Sequence, residues 1–268
     1  MSGWEVLAAS ARGSLHARSG APLQDAAGWC PGPRDAGVVV AVSDGVGSRD
    51  CFRSDRGARM AVAAACAAGG ELLDRGAPTE EGGSGLMAEI VARWTATVLA
   101  DLAGCPLQAD ELDGTSAAWE DADPVLAYAA TLLVAVGTGD RLLLAQLGDG
   151  DLLVVGTDGQ VASPLPADPA SVAGTTSTLM QPDAAAVSRA RLLDLTVTPV
   201  DLVLLATDGY GNAFADPGWP DRVGRDVREQ LHSDGTASVR ARIAGWVTDA
   251  ATVGGDDASL ALLVRARH

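Results

Sequence analysis

Asp-Gly pairs occur at Asp44, Asp113, Asp149, Asp158, Asp208 and Asp234, and what precedes each pair separates them. Asp44 and Asp208 each end an apolar run through a serine or threonine (AVSDG and LATDG), whereas Asp113 and Asp234 sit in polar stretches. The dipeptide alone is only a favourable turn. At the carboxyl end of a buried strand, however, a rigid element aims the aspartate, and the glycine lets a ligand come close to the main chain. Asp256 and Asp257 stand at the start of the last apolar run (GGDDASLALLV), and Asp25 lies before the first. Carboxylates gathered from strand ends, without cysteine or histidine partners, are the hard-oxygen ligand set expected for Mg2+ or Mn2+.

Other chemistries find little support. His16, His232 and His268 are the only histidines, too few for an imidazole zinc site. No G-x-S-x-G elbow follows a strand, so a Ser-His-Asp hydrolase is disfavoured. There is no Walker A or G-x-G-x-x-G sequence, and with no lysine in the chain a P-loop is impossible. Cys30, Cys51, Cys66 and Cys105 show no C-x-x-C spacing and read as ordinary buried thiols.

The elements that must position the carboxylates follow from patterning. Short apolar runs at 37–43, 131–137, 142–147, 152–155, 202–207 and 259–264 carry the strand signature. Hairpin-length links at 138–140 and 148–151 predict an antiparallel meander in the middle of the chain. Helical spacing marks 54–68 and 86–103, and again 221–231 and 236–248. Strands, two helices, strands, two helices and a closing strand suit a single α+β layered domain. The segments 74–85, 104–124 and 163–186 read as surface insertions, the last as a mobile flap with Pro164, Pro166, Pro169 and Pro182.

Composition bounds the partners. With 268 residues, 47% hydrophobic, the chain is long enough for one large core. A net charge of -16 repels nucleic-acid phosphates, so no nucleic-acid partner is expected. No apolar run reaches the roughly 18 residues of a membrane span, and the opening MSGWEVLAAS lacks a signal-peptide pattern; no membrane partner and a cytoplasmic location are the expectation. All 19 basic residues are arginine, which points to a GC-rich genome more than to function.

Read in order, GSLH…QDA, VSDGVG, ATLLVAV…QLGDGD, LLATDG and GDDASL resemble the motifs of the metal-dependent protein phosphatase family, type 2C, over nearly the whole chain. The resemblance implies a four-layer α-β-β-α sandwich of two antiparallel sheets flanked by helices, with two Mn2+ or Mg2+ ions at one end. Asp44 would bridge both metals and the Gly45 carbonyl would complete one site. Asp208 and Asp256 would hold the other, with Asp25 and Asp257 as lesser ligand candidates. The implied reaction is in-line attack of a metal-activated water on phosphoserine or phosphothreonine, and the implied partner is a phosphoprotein made by a serine/threonine kinase.

The chain departs from the bacterial pattern at several places. Gln24-Asp25 replaces Glu-Asp, Gly13-Ser14-Leu15-His16 replaces G-x-x-R, Ala129-Ala130-Thr131 replaces G-T-T, and Asn212 replaces a second aspartate after D-G. These changes resemble a bacterial subgroup with H…QDA in place of R…NED. His16 either contacts phosphate or orders its loop, with Arg12 and Arg18 as other candidates for the anion. Asp149 is read as serving a hairpin. Two further readings stay open: a catalytically silent relative acting as a regulatory binding protein, and a hydrolase of small phosphate esters.

Overall fold

The structure, a computed structural model, describes residues 3–168, 170 and 175–266; His268, Pro169 and Gly174 lie outside the described residues. The chain opens with β1 (Trp4–Ala11), α1 (Ser14–Ser19), β2 (Ala26–Pro31) and β3 (Val38–Ser43). Two long helices, α2 (Ser54–Arg75) and α3 (Glu80–Gly104), and the one-turn α4 (Ala109–Leu112) follow. Next come β4 (Leu132–Gly137), β5 (Arg141–Leu147), β6 (Asp151–Gly156), β7 (Val161–Ala162), α5 (Ala184–Val187), β8 (Arg189–Asp194) and β9 (Val200–Ala206). Last are α6 (Asp208–Gly211), α7 (Trp219–Ser233), α8 (Gly235–Gly254) and β10 (Ala258–Arg265).

The strands form two antiparallel five-stranded sheets, ordered β1-β10-β9-β6-β7 and β2-β3-β4-β5-β8. Alternate residues of each central strand face different layers. Val38, Val40 and Val42 of β3 meet Leu152, Val203 and Leu263 of the other sheet, while Val39 and Ala41 face Ala61, Ala65 and Ile90 of α2 and α3. On the far side, Leu204 and Leu262 pack against Val239, Ile243 and Val247 of α8 and Val227 of α7. Because both faces of each sheet are covered, the central strands are apolar without interruption, and their period of two is invisible in the sequence. The α+β four-layer sandwich expected from the resemblance is the observed fold.

The expected central meander is not. β4 and β5 form a hairpin, but β5 and β6 belong to different sheets, so residues 148–150 carry the chain across the sandwich. Gly148 adopts φ +100, open to glycine but strained for a side chain, and a Cβ there would lie 2.7 Å from Thr131. β1, β2, the two-residue β7 and β8 were not legible as strands. β2 and β8 are half-exposed, and the arginines of β8 interrupt its apolar residues.

The insertions are also more ordered than polarity implied. α3 begins at Glu80, inside the 74–85 stretch, where Thr79 Oγ1 accepts the Gly82 N–H at 3.1 Å and caps the helix. In 104–124, Glu111 takes both its oxygens to the buried Arg53 guanidinium, at 2.7 and 2.6 Å. Arg53 also donates to the Cys105 carbonyl at 2.7 Å and the Tyr128 hydroxyl at 2.6 Å. In 163–186, Leu179 and Ala184 are buried in the cluster that includes Trp94 and Leu147, so low burial does not hold for its second half. Of the cysteines only Cys51 is buried; Cys105 is exposed, and Cys30 donates to the Cys66 carbonyl at 3.4 Å. Among the described residues, no helix is long and apolar enough to cross a membrane.

Arg53 is 2% exposed and joins the start of α2 to the acidic insertion. Arg53→Ala should therefore lower stability by about 3 kcal/mol, the low end for breaking a buried pair because Glu111 is partly exposed. The urea midpoint measures this, and Glu111→Gln added to Arg53→Ala should recover part of the loss by removing the unpaired charge.

Candidate active site

Strand ends from both sheets meet around a cavity of about 190 Å³ lined by His16, Gln24, Asp44, Gly45, Val46, Gly47, Thr131, Asp149, Thr176, Asp208, Asp256 and Asp257. Asp44 follows β3, Asp208 follows β9 and begins α6, and Asp256 precedes β10. These three carboxylates, far apart in sequence, are thus brought together at one end of the sandwich.

Main-chain contacts hold the floor. Asp44 N–H donates to Thr131 Oγ1 at 3.1 Å, and Thr131 N–H returns to the Asp44 carbonyl at 2.8 Å. Gly45 N–H donates to the Gln24 carbonyl at 3.2 Å. A Cβ on Gly45 would come within 2.6 Å of the Ser54 carbonyl oxygen, so only glycine fits between these backbones. Asp257 has both oxygens committed: Oδ1 accepts Gly13 N–H and Oδ2 accepts Gln24 N–H, each at 2.6 Å. It is a clasp that ties the segment after β1 and the one before β2 to the start of β10.

His16 sits in α1, its Nδ1 3.0 Å from Asp257 Oδ2 and its Nε2 3.9 Å from Asp256 Oδ1. The Nδ1 approach is off the line of a hydrogen bond, so the contact is electrostatic when the ring is protonated. Arg12 donates instead to the Ala21 carbonyl at 3.3 Å, and neither Arg12 nor Arg18 lines the cavity. Gln24 Nε2 donates to Ser54 Oγ at 2.8 Å, and Asn212 Nδ2 donates to Asp208 Oδ2 at 3.2 Å.

Asp149 and Asp151 join this constellation, although the sequence pointed only to a hairpin. Asp149 lines the cavity and accepts from Thr176 Oγ1 at 2.6 Å. Asp151, the first residue of β6, lies near enough to Asp208 for each to feel the other's charge. The run LGDGDLL was their only signal, and reading it correctly required knowing that β5 and β6 part into different sheets.

Crowded carboxyls resist ionisation. Burial, then repulsion from Asp25 and Asp208, pushes Asp44 well above the usual carboxylate range, and burial and the charge of Asp149 raise Asp208 as well. Asp25 is pushed up to about 7 by burial and by Asp257, against the opposing hydrogen bond from Thr207 Oγ1 at 2.7 Å. Asp151 rises to about 6 through burial and the charges of Asp208 and Asp149. Asp25 Oδ1 is buried and has no hydrogen-bond partner. Among the described residues no three histidine, cysteine or acidic side chains stand as a ready-made ligand group. Yet no arginine lines the cavity to balance the charge, and an all-oxygen donor set with one orphaned buried carboxylate oxygen fits a hard divalent cation.

The raised values make stability depend on pH. Above about pH 4 the unfolded chain has released protons that the folded one still holds on Asp44, Asp25 and Asp151. The folded state binds more protons, so stability should fall as pH rises from about 4 to about 7, by about 1.4 kcal/mol per pH unit for each proton retained. Urea midpoints of chelator-treated protein at about pH 5 and about pH 7.5 should show this fall, and excess Mn2+ should flatten or reverse it, since a cation binds the ionised carboxylates.

Solved structures share this architecture. The catalytic domain of the serine threonine protein phosphatase PstP, determined in complex with 2 manganese ions, superposes with a TM-score of 0.61 at 18% identity, covering 97% of each chain. The serine/threonine phosphatase Stp1 from Staphylococcus aureus gives 0.64 at 12% identity over 97% of this chain and 94% of that one. The S. agalactiae serine/threonine phosphatase gives 0.65 at 14% identity over 97% and 99%. No curated protein sequence matches the chain. At these identities the structural likeness speaks for the fold, while the protein phosphatase 2C family model matches residues 12–248, nearly the whole length over which the strand-end aspartates are spaced. The chain therefore belongs to the protein phosphatase 2C family.

Proposed function

We propose that the protein is a metal-dependent serine/threonine phosphatase that removes phosphate from phosphoserine and phosphothreonine in proteins phosphorylated by a serine/threonine kinase. The observation that carries the reading is the cavity, where Asp44, Asp208 and Asp256 converge from three strand ends with no basic side chain other than His16. Asp44, the Gly45 carbonyl, Asp208 and Asp256 are the groups that would hold Mn2+ or Mg2+ there. Asp25 lies beneath with an oxygen free of hydrogen bonds, and Asp257 orders the surrounding main chain. When bound, such a pair of ions lowers the pKa of water and shields the charge of the phosphate.

The chain's own residues orient and hold. His16, leaning on Asp256 and Asp257, is placed to meet a phosphate oxygen when protonated, the task an arginine serves in the bacterial pattern. Gln24 contributes a neutral amide where a carboxylate is usual, which leaves the cavity less negative and weakens the second cation position. The H…QDA combination marks a bacterial subgroup built on this substitution. Within the expected flap at 163–186, the half before the buried Leu179 is the part placed to meet the phosphoprotein, and the Thr176–Asp149 hydrogen bond ties it to the site.

Asp44→Ala and Asp208→Ala should each reduce Mn2+-dependent hydrolysis of p-nitrophenyl phosphate by about a hundredfold or more, since even residues supporting a metal ligand cost up to about that much. Gln24→Glu should lower the Mn2+ concentration needed for half-maximal rate. Near-normal turnover in either alanine variant would sink the assignment, and a wild-type protein with no chelator-sensitive turnover would favour a regulatory binding role. A preference for small esters over phosphopeptides would point to a small-molecule substrate.

Shortening residues 163–168 should alter the ranking of phosphopeptides while leaving p-nitrophenyl phosphate turnover within about twofold, because remote contacts act through the larger substrate. Equal loss on both substrates in a folded variant would show instead that the segment supports the catalytic cavity.

A further inference from the structure

On the outer face of the sheet that carries β9 and β10, α6, α7 and α8 border a second cavity of about 320 Å³, open to solvent, which the phosphatase chemistry does not use. Its walls are apolar and aromatic, with Tyr210, Phe214, Val227, Trp246 and Val253 among them. The aromatic side is preformed: Phe214 stacks on Trp219 with centroids 5.1 Å apart, and Tyr210 meets Phe214 edge-on at 5.5 Å. Two carboxylates also line it, Asp226 of α7 and Asp249 of α8, both exposed. Among the described residues neither forms a hydrogen bond or ion pair, and no basic side chain lines the cavity.

The size lies at the lower end of small-molecule sites, about 300 to 1,000 Å³, and the lining selects by chemistry. Two carboxylates without a counter-charge repel phosphates, nucleotides and carboxylates. Apolar walls reject a fully hydrated inorganic cation. What satisfies both is an ammonium group on an apolar body, its charge toward the carboxylates and its body against the apolar and aromatic walls.

The cavity also adjoins the catalytic carboxylates through its own walls. Tyr210 is two residues beyond Asp208, and Val253 is three residues before Asp256. A Cβ on Gly254 would lie 3.4 Å from the Gly209 carbonyl oxygen and 3.6 Å from Ala213, so α6 and the end of α8 are in direct contact. A Cβ on Gly209 would lie only 2.0 Å from the Asp257 carbonyl oxygen. Close-packed contacts of this kind transmit displacement instead of absorbing it.

We propose that this cavity is a regulatory site for a small amphiphilic amine, and that an occupant between α6 and α8 changes the spacing of Asp208 and Asp256 and with it the affinity for divalent cations. The second half rests on the reading of those two aspartates as cation ligands; the first does not.

Calorimetry on the full chain tests both halves, with phenethylamine as the probe and 3-phenylpropanoate, the same body with opposite charge, as its control. Phenethylamine should bind, and 3-phenylpropanoate should bind at least tenfold more weakly. Asp226→Asn combined with Asp249→Asn should weaken the amine tenfold or more by removing the charge, and Val253→Trp, at a side chain 73% exposed, should do so by blocking the mouth. Saturating amine should shift the Mn2+ dissociation constant by about fivefold or more, and Mn2+ should shift that of the amine by the same factor. Equal binding of amine and carboxylate, or undiminished amine binding in Val253→Trp, would overturn the site. Amine binding with unchanged Mn2+ affinity would overturn its regulatory role. Amine binding in a protein that takes up no Mn2+ would overturn the metal reading and the coupling while leaving the binding site standing.

Discussion

Like charges confined in one cavity repel, and much of this molecule is arranged around holding such a group together. Asp44, Asp149, Asp208, Asp256 and Asp257 line one small space, with Asp25 buried beside it. Nothing basic except His16 shares that lining. The protein answers the repulsion by proton retention, raising Asp44, Asp25, Asp151 and Asp208 above the ordinary carboxylate range. Hydroxyl and amide donors from Thr176, Thr207 and Asn212 supply further support. A divalent cation would compete with these protons for one set of oxygens, and its binding would link the stability of the fold to the chemistry of the site.

A cluster like this needs a rigid frame, and the sandwich supplies it. Asp44, Asp208 and Asp256 are carried next to the ends of β3, β9 and β10, strands whose two faces are both buried, so none of these strands can shift without disturbing two cores. Asp257 adds a closure across the sequence by binding the main chain at Gly13 and Gln24. The cost of this rigidity is local intolerance. Gly45 and Gly209 are wedged against neighbouring backbone, where any side chain would collide.

The departures from the bacterial pattern take on meaning in this frame. Histidine in place of arginine and glutamine in place of glutamate both alter charge around one cavity, one by removing a permanent positive charge and the other by removing a negative one. The two changes offset each other in net charge. With a neutral ring the pair His16 and Gln24 thus leaves the net charge of the cavity as arginine and glutamate would.

The amino-acid sequence by itself determined a good deal. The central strands, the four long helices and the candidates Asp44, Asp208 and Asp256 were legible, because an Asp-Gly after an apolar run, or an acidic pair before one, marks where a buried strand ends or begins. Tertiary structure alone decided that β5 and β6 part into opposite sheets, and therefore that Asp149 and Asp151 belong with Asp208 and not to a hairpin. A turn sequence records its local geometry and not which sheet receives the next strand, since that choice is made by contacts distant in sequence. The same reason hid the clasp of Asp257, the pairing of buried Arg53 with Glu111 of the acidic insertion, and the firm packing of Leu179 in a segment whose composition spoke for a loop. Each depends on a partner that sequence order keeps far away.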